Sequence, residues 1–381
     1  MNKHSRRRFL KISGGAAAMA AAPALMSRRA LAAREKELNI LCWEGYNSDE
    51  VLDPFRKEYG AKVQAETGTS DPDMINKLRA GEISVWDLIN LNQPWAREQM
   101  YPENLIKPIP RDEFEPYMDK MMEAFRPPYE WALSLDGKDL LGMTQRFGPF
   151  NFVVNTNKFS RATAEDEGFD LFNEPSNQGK YGILTYDNWN IMHMCVGAGV
   201  DPFKKHTQAE LDAFEETARK WFKGAKLLTD DLVAMNLALI NGEIDLYCSG
   251  GIYSASTARL DGATNVRGIT PKRGPMGGKG GIMWVEITSV VNNPQVSPLA
   301  EEFLHYVQRP DVCHKVAFAE GAHNPVTQMA QPEVFSQFTK QELDVIQWDT
   351  LEEDLSNCVD YGINPDYDAM DTIYNAAKRE A

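Results

Sequence analysis

The chain has 381 residues, of which 43% are hydrophobic and 25% charged, and its formal net charge is −15. That length at ordinary hydrophobicity suffices for about two lobes, each with its own core. An acidic chain of this kind repels nucleic acid and anionic lipid, and it attracts cationic solutes by long-range electrostatics. We therefore expect no nucleic-acid partner.

Residues 1–32 have the composition of an export signal. The segment 5–11, SRRRFLK, precedes a mildly apolar run at 14–25, and Ala30-Leu31-Ala32 offers small residues around a cleavage point. The twin arginine followed by Phe-Leu-Lys resembles the signal of the twin-arginine export pathway. The run is shorter than the roughly 20 apolar residues of a membrane span. We expect a periplasmic mature protein with no membrane insertion after the signal is removed.

The signal also hides how acidic the mature chain is. Residues 1–32 hold seven Lys and Arg and no acid, so removing them changes the net charge from −15 to −22. The five cysteines are scattered and form no C-x-x-C pair. Since twin-arginine cargo folds in a reducing compartment, we expect buried free thiols. We also expect no metal site and no cofactor.

The start of the mature chain alternates strand and helix patterns. Strands are predicted at 38–43, 62–66 and 86–91, with helices beginning at an Asn47 N-cap and covering 72–80. This order predicts a parallel sheet, in which ligands sit beyond the carboxyl ends of the strands. The residues at those ends that we predict to bind ligand are Trp43, Glu44, Tyr46 and Asn92.

A second β/α unit follows an irregular, acidic stretch at 108–142. Strands are predicted at 152–155, 181–187, 244–251, 266–270 and 280–291, and helices at 208–222, 232–241, 298–309 and 310–320, with further helical patterns in 340–380. The order predicts an α/β fold of two lobes joined by crossing strands. We expect lobe 1 to comprise 33–153 with 285–325, and lobe 2 to comprise 154–284 with 326–381.

The strand at 280–291 places Trp284 and Glu286 on one face by its period of two. One interpretation is a core tryptophan beside a salt-bridged glutamate. The other is half of a cation site, in which the ring face attracts a positive ligand and the carboxylate accepts its N–H groups.

Four motifs, in order, resemble one known family. They are LCWEGY at 41–46, GILTYD at 182–187, GGIMWVE at 280–286, and RPDV at 309–312 followed by 321–325. The chain resembles the spermidine/putrescine-binding periplasmic proteins of bacterial ABC importers. The resemblance implies two hinged lobes of the type II periplasmic binding protein class, which close on a solute and deliver it to a membrane permease.

The resemblance also implies roles for individual residues. Trp43 and Trp284 would be ring walls, and Asp187 and Glu286 would anchor the ammonium groups of a polyamine such as putrescine or spermidine. Glu286 stands where these proteins usually have Asp, and Cys248 stands where they have another ring wall. Further departures are Leu91 and Gln93 in the third-strand loop, and Ala322 or His323 in place of a tyrosine. These changes leave the identity of the amine open.

Other functions remain open at this point. The same fold could bind an amino-acid derivative, an opine or a betaine, for which Arg146 is the nearest basic anchor, or it could serve as a sensor subunit. Asp187 and Glu286 could also be the acid–base pair of an enzyme. No nucleophile elbow, phosphate loop or metal-ligand cluster is evident in the sequence, so we expect a binding protein with no catalytic activity. We also expect it to be a monomer.

Overall fold

The computed structural model describes residues 34–68, 70–319, 321 and 323–380. The predicted signal peptide, Thr69 and Ala322 lie outside the described residues. The strands, in chain order, are β1 (Glu37–Cys42), β2 (Lys62–Thr67), β3 (Leu88–Asn92), β4 (Ile106–Lys107), β5 (Met143–Asn155), β6 (Tyr181–Leu184), β7 (Leu227–Thr229), β8 (Leu246–Gly251), β9 (Val266–Ile269), β10 (Gly281–Val291) and β11 (Cys358–Asp360).

These strands form two groups that share β5. The order across the sheet is β2-β1-β3-β10-β5-β8-β6-β7, with β4 and β11 beside β10 and β9 beside β5. β1 pairs in parallel with β2 and β3, and β6 pairs in parallel with β7 and β8. β10 runs antiparallel to β3 and β5. The predicted parallel units of both lobes are therefore present.

The helices cover both groups of strands. They are α1 (Asp49–Tyr59), α2 (Asp71–Arg79), α3 (Gln93–Trp95), α4 (Arg111–Met118), α5 (Arg161–Glu167), α6 (Asp170–Asn173), α7 (Asp187–Gly197), α8 (Gln208–Gly224), α9 (Leu232–Ile240), α10 (Ile252–Leu260), α11 (Leu299–Tyr306), α12 (Pro310–Phe318), α13 (Pro332–Phe335), α14 (Lys340–Val345), α15 (Leu351–Ser356) and α16 (Tyr367–Arg379). Among the helices of the described residues, none has the length and apolar character to cross a membrane.

β5 joins the two lobes. Its first part, from Met143 to Pro149, pairs with β10, and its last part, Phe150 to Asn155, pairs with β8 and β9. The sequence predicted only the last four residues of this strand. The earlier ones were missed because Gln145 and Arg146 interrupt the apolar pattern, although both side chains are buried. A polar residue can occupy a buried strand when a tertiary partner satisfies it.

Two helix starts differ from the prediction. The N-cap of α1 is Ser48, whose Oγ accepts a hydrogen bond from the Val51 amide, whereas Asn47 Oδ1 accepts one from the Gly45 amide. Both residues are good caps, and Asn47 is instead used in the turn after β1. β6 ends at Leu184, so Asp187 is the first residue of α7 and not a strand end.

The core explains why the lobes hold together. A continuous cluster of buried apolar side chains runs through both groups of strands, and a smaller one lies under α9. All five cysteines are buried, as the sequence led us to expect. The stretch 108–142, predicted to be irregular, contains α4, whose Phe114 and Met118 face the core.

Candidate functional site

The turn after β1 carries three of the predicted ligand-binding residues. Trp43 is half-buried, Glu44 is exposed and Tyr46 is fully buried. Gly45 has a φ of +98°, and a Cβ atom there would lie 2.7 Å from the Arg146 guanidinium. Only glycine fits this position, because it tolerates the left-handed backbone and leaves room for the arginine.

Asp71, at the start of α2, organises the neighbouring strand ends. Its carboxylate accepts hydrogen bonds from the Asn92 amide N–H at 3.0 Å and side chain at 2.8 Å, and from Trp43 Nε1 at 3.2 Å. Burial raises the pKa of the Asp71 carboxyl to about 6. The sequence did not single out Asp71, although it follows a strand end that was predicted to face the ligand.

The Glu286 carboxylate forms an ion pair within the chain. The Arg146 guanidinium donates two hydrogen bonds to it, from Nε at 2.9 Å and Nη2 at 2.8 Å, and both side chains are buried. The ring of Tyr46 lies 4.7 Å from the guanidinium carbon, in a cation–π contact. Burial raises the pKa of the Glu286 carboxyl, and the guanidinium counteracts that rise. Of the two interpretations of Glu286, the salt-bridged glutamate matches this geometry.

Asp187 is likewise paired within the chain. Its carboxylate accepts a hydrogen bond from Tyr374 Oη at 2.8 Å and lies 3.1 Å from Lys378 Nζ, both on α16. These partners come from the last helix, nearly two hundred residues further along the chain. Sequence spacing carries no signal of such a contact.

The remaining predicted residues differ in exposure. Cys248 is fully buried in the core, and burial raises the pKa of its thiol to about 12. Trp284 is 7% exposed and lies beside Gly148, the opposite residue of β5. Cys248 is therefore part of the core of its lobe rather than a wall of the cleft.

Lobe 2 contributes a group of aromatic rings that the sequence did not identify. Around Phe150 lie Tyr186, Trp189 and Tyr253, with ring centroids 6.3, 4.8 and 6.3 Å from it. The three outer rings are half-buried. Tyr186 and Tyr253 follow the ends of β6 and β8, as residues at a cleft should. Burial, together with the nearby Glu44 carboxylate, raises the pKa of Tyr186 to about 12.

Hydrogen bonds connect the two sides of the cleft. The Tyr253 hydroxyl donates to Glu44, and the Ser256 hydroxyl accepts from the His323 amide at 2.9 Å. Between α7 and the residue that follows β11, Asn188 Nδ2 donates to Tyr361 Oη at 2.9 Å. The lobes are therefore in contact in this structure, and Glu44 is the acid at which they meet.

The structure thus connects some predicted residues and separates others. Trp43 and Asn92 are joined through Asp71, Tyr46 and Glu286 are joined through Arg146, and Glu286 pairs with Asn92 in the register of β3 and β10. Asp187 lies on the other lobe, held by α16. Within the described part of the chain, no group of His, Cys, Asp and Glu side chains is arranged to hold a metal ion.

Two hinged α/β lobes with residues converging at the strand ends are the architecture of a solute-binding protein. The model of the family described as bacterial extracellular solute-binding protein matches residues 50–342, and a twin-arginine signal sequence matches residues 3–23. The chain belongs to this family of bacterial extracellular solute-binding proteins, and it is exported to the periplasm by the twin-arginine pathway.

Known relatives agree with this assignment. The spermidine/putrescine-binding periplasmic protein of Salmonella typhimurium is 24% identical over 326 residues, covering 83% of this chain and 86% of that protein. A putative spermidine/putrescine ABC transporter structure from Listeria monocytogenes aligns with a TM-score of 0.69 at 16% identity, covering 91% and 100% of the two chains. The binding protein MotA from A. tumefaciens B6 in complex with glucopine aligns with a TM-score of 0.61 at 12% identity, covering 90% and 99%. These structures share the fold.

Proposed function

We propose that this solute-binding protein captures a small organic amine between its lobes and passes it to the permease of an ABC importer. The observation that carries the proposal is the position of Glu44. This exposed carboxylate lies where the lobes meet, accepts a hydrogen bond from Tyr253, is near Tyr186, and follows the half-buried Trp43 in the chain. A carboxylate with aromatic faces around it is the chemistry that binds an ammonium group.

The energy of such a site is adequate for uptake. One charge-assisted hydrogen bond at about 1.5–3 kcal/mol and two cation–π contacts at about 0.5–2 kcal/mol each give roughly 3–7 kcal/mol. A micromolar ligand needs about 8 kcal/mol. Burying the methylene groups of the amine between rings supplies the difference, at about 0.8 kcal/mol for each group. The named Salmonella relative, which binds spermidine and putrescine, supports an amine of this kind.

The site favours capture over catalysis. Asp187 and Glu286, the residues considered as an acid–base pair, are each held by a cation and an aromatic hydroxyl or ring of the same chain. A general acid or base needs a free carboxyl within reach of the substrate. We therefore propose that the protein binds its solute unchanged.

The test is a comparison of two variants of the mature protein. Glu44→Gln keeps the shape of the side chain and removes its charge, so affinity for diaminobutane and spermidine, measured by calorimetry, should fall by about 1.5–3 kcal/mol. Glu216→Gln removes an equally exposed charge from α8, away from the cleft, and should leave affinity unchanged. Equal affinities for the two variants would contradict the assignment of Glu44, and conversion of either amine would contradict simple capture.

A further inference from the structure

Four carboxylates lie near the rings of the cleft, and two of them are already neutralised within the chain. The four are Glu44, Asp71, Asp187 and Glu286. The side chain of Arg146 is 3% exposed and that of its partner Glu286 is 5% exposed, so the pair is shielded from water. Lys378 holds Asp187 at 3.1 Å. A ligand ammonium at Glu286 would have to displace a buried cation of the protein, and one at Asp187, whose side chain is 39% exposed, would lie beside the charge of Lys378.

Asp71 is occupied by neutral donors. Its two oxygens accept three hydrogen bonds, two from Asn92 and one from Trp43, and the residue is 4% exposed. These bonds use three of the roughly four acceptor sites of the carboxylate and hold the indole of Trp43 at the cleft. Asp71 therefore positions an aromatic wall and offers no open face to a ligand.

Glu44 is the acid that stays accessible. It is exposed, and the Tyr253 hydroxyl that donates to it is neutral, so this contact leaves the negative charge of Glu44 unneutralised. Asp230 also raises the pKa of Tyr186. It is exposed, however, just after the edge strand β7, where water and salt screen its charge. The inner part of the cleft thus presents one carboxylate for one ammonium group.

We infer that the cleft selects a solute with a single cationic headgroup and a neutral remainder, and that Arg146 and Lys378 are the residues that disfavour a second ammonium group. The inference rests on the proposed function and narrows it. A solute of this kind differs from a doubly charged polyamine, because each end of a polyamine needs an anionic anchor.

The enclosure of Arg146 also argues against a carboxylate at the other end of the solute. One edge of the guanidinium faces Glu286 and one face lies against the ring of Tyr46 at 4.7 Å. The Gly45 backbone is so close that an added Cβ atom would lie 2.7 Å from Nη1. A ligand carboxylate therefore finds no open side of this guanidinium, so the group acts as a fixed countercharge and not as an anchor.

The experiment uses three probes with the same four-carbon spacer: diaminobutane, aminobutanol and aminobutyrate. They share one ammonium group and differ at the other end, which is cationic, neutral or anionic. The dissociation constants of the mature protein are measured by calorimetry at one salt concentration. Aminobutanol should bind about tenfold more tightly than either of the others. The second ammonium group of diaminobutane would lie beside a fixed cation, and the carboxylate of aminobutyrate would have no partner, so each weakens binding.

Two variants test the source of the selectivity. Lys378→Gln releases Asp187 on a partly exposed helix face and should improve binding of diaminobutane relative to aminobutanol by about tenfold. Lys62→Gln removes an exposed lysine at the opposite end of the strands and should leave the ratio unchanged. Arg146→Gln releases Glu286 and should shift the ratio in the same direction as Lys378→Gln, provided that circular dichroism shows it folded.

Each result has a defined meaning. Tighter binding of diaminobutane or aminobutyrate than of aminobutanol by the wild type overturns the inference while leaving amine capture intact. A ratio that is the same in Lys378→Gln and Lys62→Gln overturns the role of Lys378. If none of the three probes binds and the larger polyamines also fail, amine capture itself is wrong.

Discussion

The Arg146 guanidinium on β5 and the Glu286 carboxylate on β10 form a buried, two-bond ion pair across the strands that join the lobes. The pair sits where β5 and β10 shift register, between Val285 and Ile287. Such a shift re-aims side chains and is common next to binding sites. This register shift places the Arg146 guanidinium against Glu286, the acid that was expected to bind the ligand.

Breaking this pair should affect stability more than binding. Glu286→Gln leaves the buried guanidinium without its counter-ion, so the free energy of unfolding should fall by about 3–5 kcal/mol. Urea unfolding of the ligand-free protein measures the change. The double variant Arg146→Met, Glu286→Met removes both charges and should recover most of the loss. A single variant as stable as the wild type would show that the pair contributes nothing to the fold.

Asp71 should make stability depend on pH. Its folded pKa of about 6 lies above the ordinary value of 3.8, because the carboxyl is buried. Between these two values the folded state binds more protons than the unfolded state, so stability is higher at low pH and falls as pH rises from about 4 to about 6. The loss attributable to this group is up to about 3 kcal/mol.

The check is urea unfolding of the wild type and Asp71→Asn at pH 4 and pH 7. Because asparagine does not titrate, the variant should gain stability relative to the wild type between those two pH values. A difference that is constant with pH, or that moves the other way, would show that folding does not raise the pKa of Asp71.

Solute should close the lobes. Two hydrogen bonds cross the cleft, from Tyr253 to Glu44 and from the His323 amide to Ser256. They already stabilise an arrangement in which the lobes are in contact, and a bound solute adds further contacts to it. Saturating ligand should reduce the radius of gyration in solution scattering and change the fluorescence of Trp43. Tyr253→Phe should give a larger ligand-free radius than the wild type. An unchanged radius on saturation would indicate a rigid site.

Export should depend on the arginine pair of the signal. Replacing Arg6 and Arg7 together by lysine keeps the positive charge and removes the feature that the twin-arginine pathway reads. The precursor should then accumulate in the cytoplasm, as measured by fractionation and immunoblotting. Replacing Lys3 by arginine is the matched control and should leave export intact. Normal periplasmic yield of the double variant would contradict this route.

Local patterns determined much of this protein. The period of the apolar residues predicted most of the strands and the two long helices of the second lobe, α8 and α9, within a few residues. The alternation of strand and helix predicted that Trp43, Glu44 and Tyr46 lie at a cleft. Each of these features depends on residues close together in the chain, whose geometry follows from backbone periodicity. The composition of residues 1–32 likewise predicted the export route that the family comparison supports.

Charge pairing was decided by the tertiary structure alone. Arg146 and Glu286 are 140 residues apart in the sequence, and Asp187 and Lys378 are 191 apart. No periodicity connects residues so distant, so an acid at a strand end looks the same in the sequence whether its partner is a ligand or an arginine. Burial then fixes the outcome at Asp71 and Glu286, because a carboxylate removed from water must be matched by a cation or by donors, and the fold supplies those partners. Asp187, whose side chain is 39% exposed, pairs with Lys378 on the last helix, whereas exposed Glu44 accepts from the neutral hydroxyl of Tyr253.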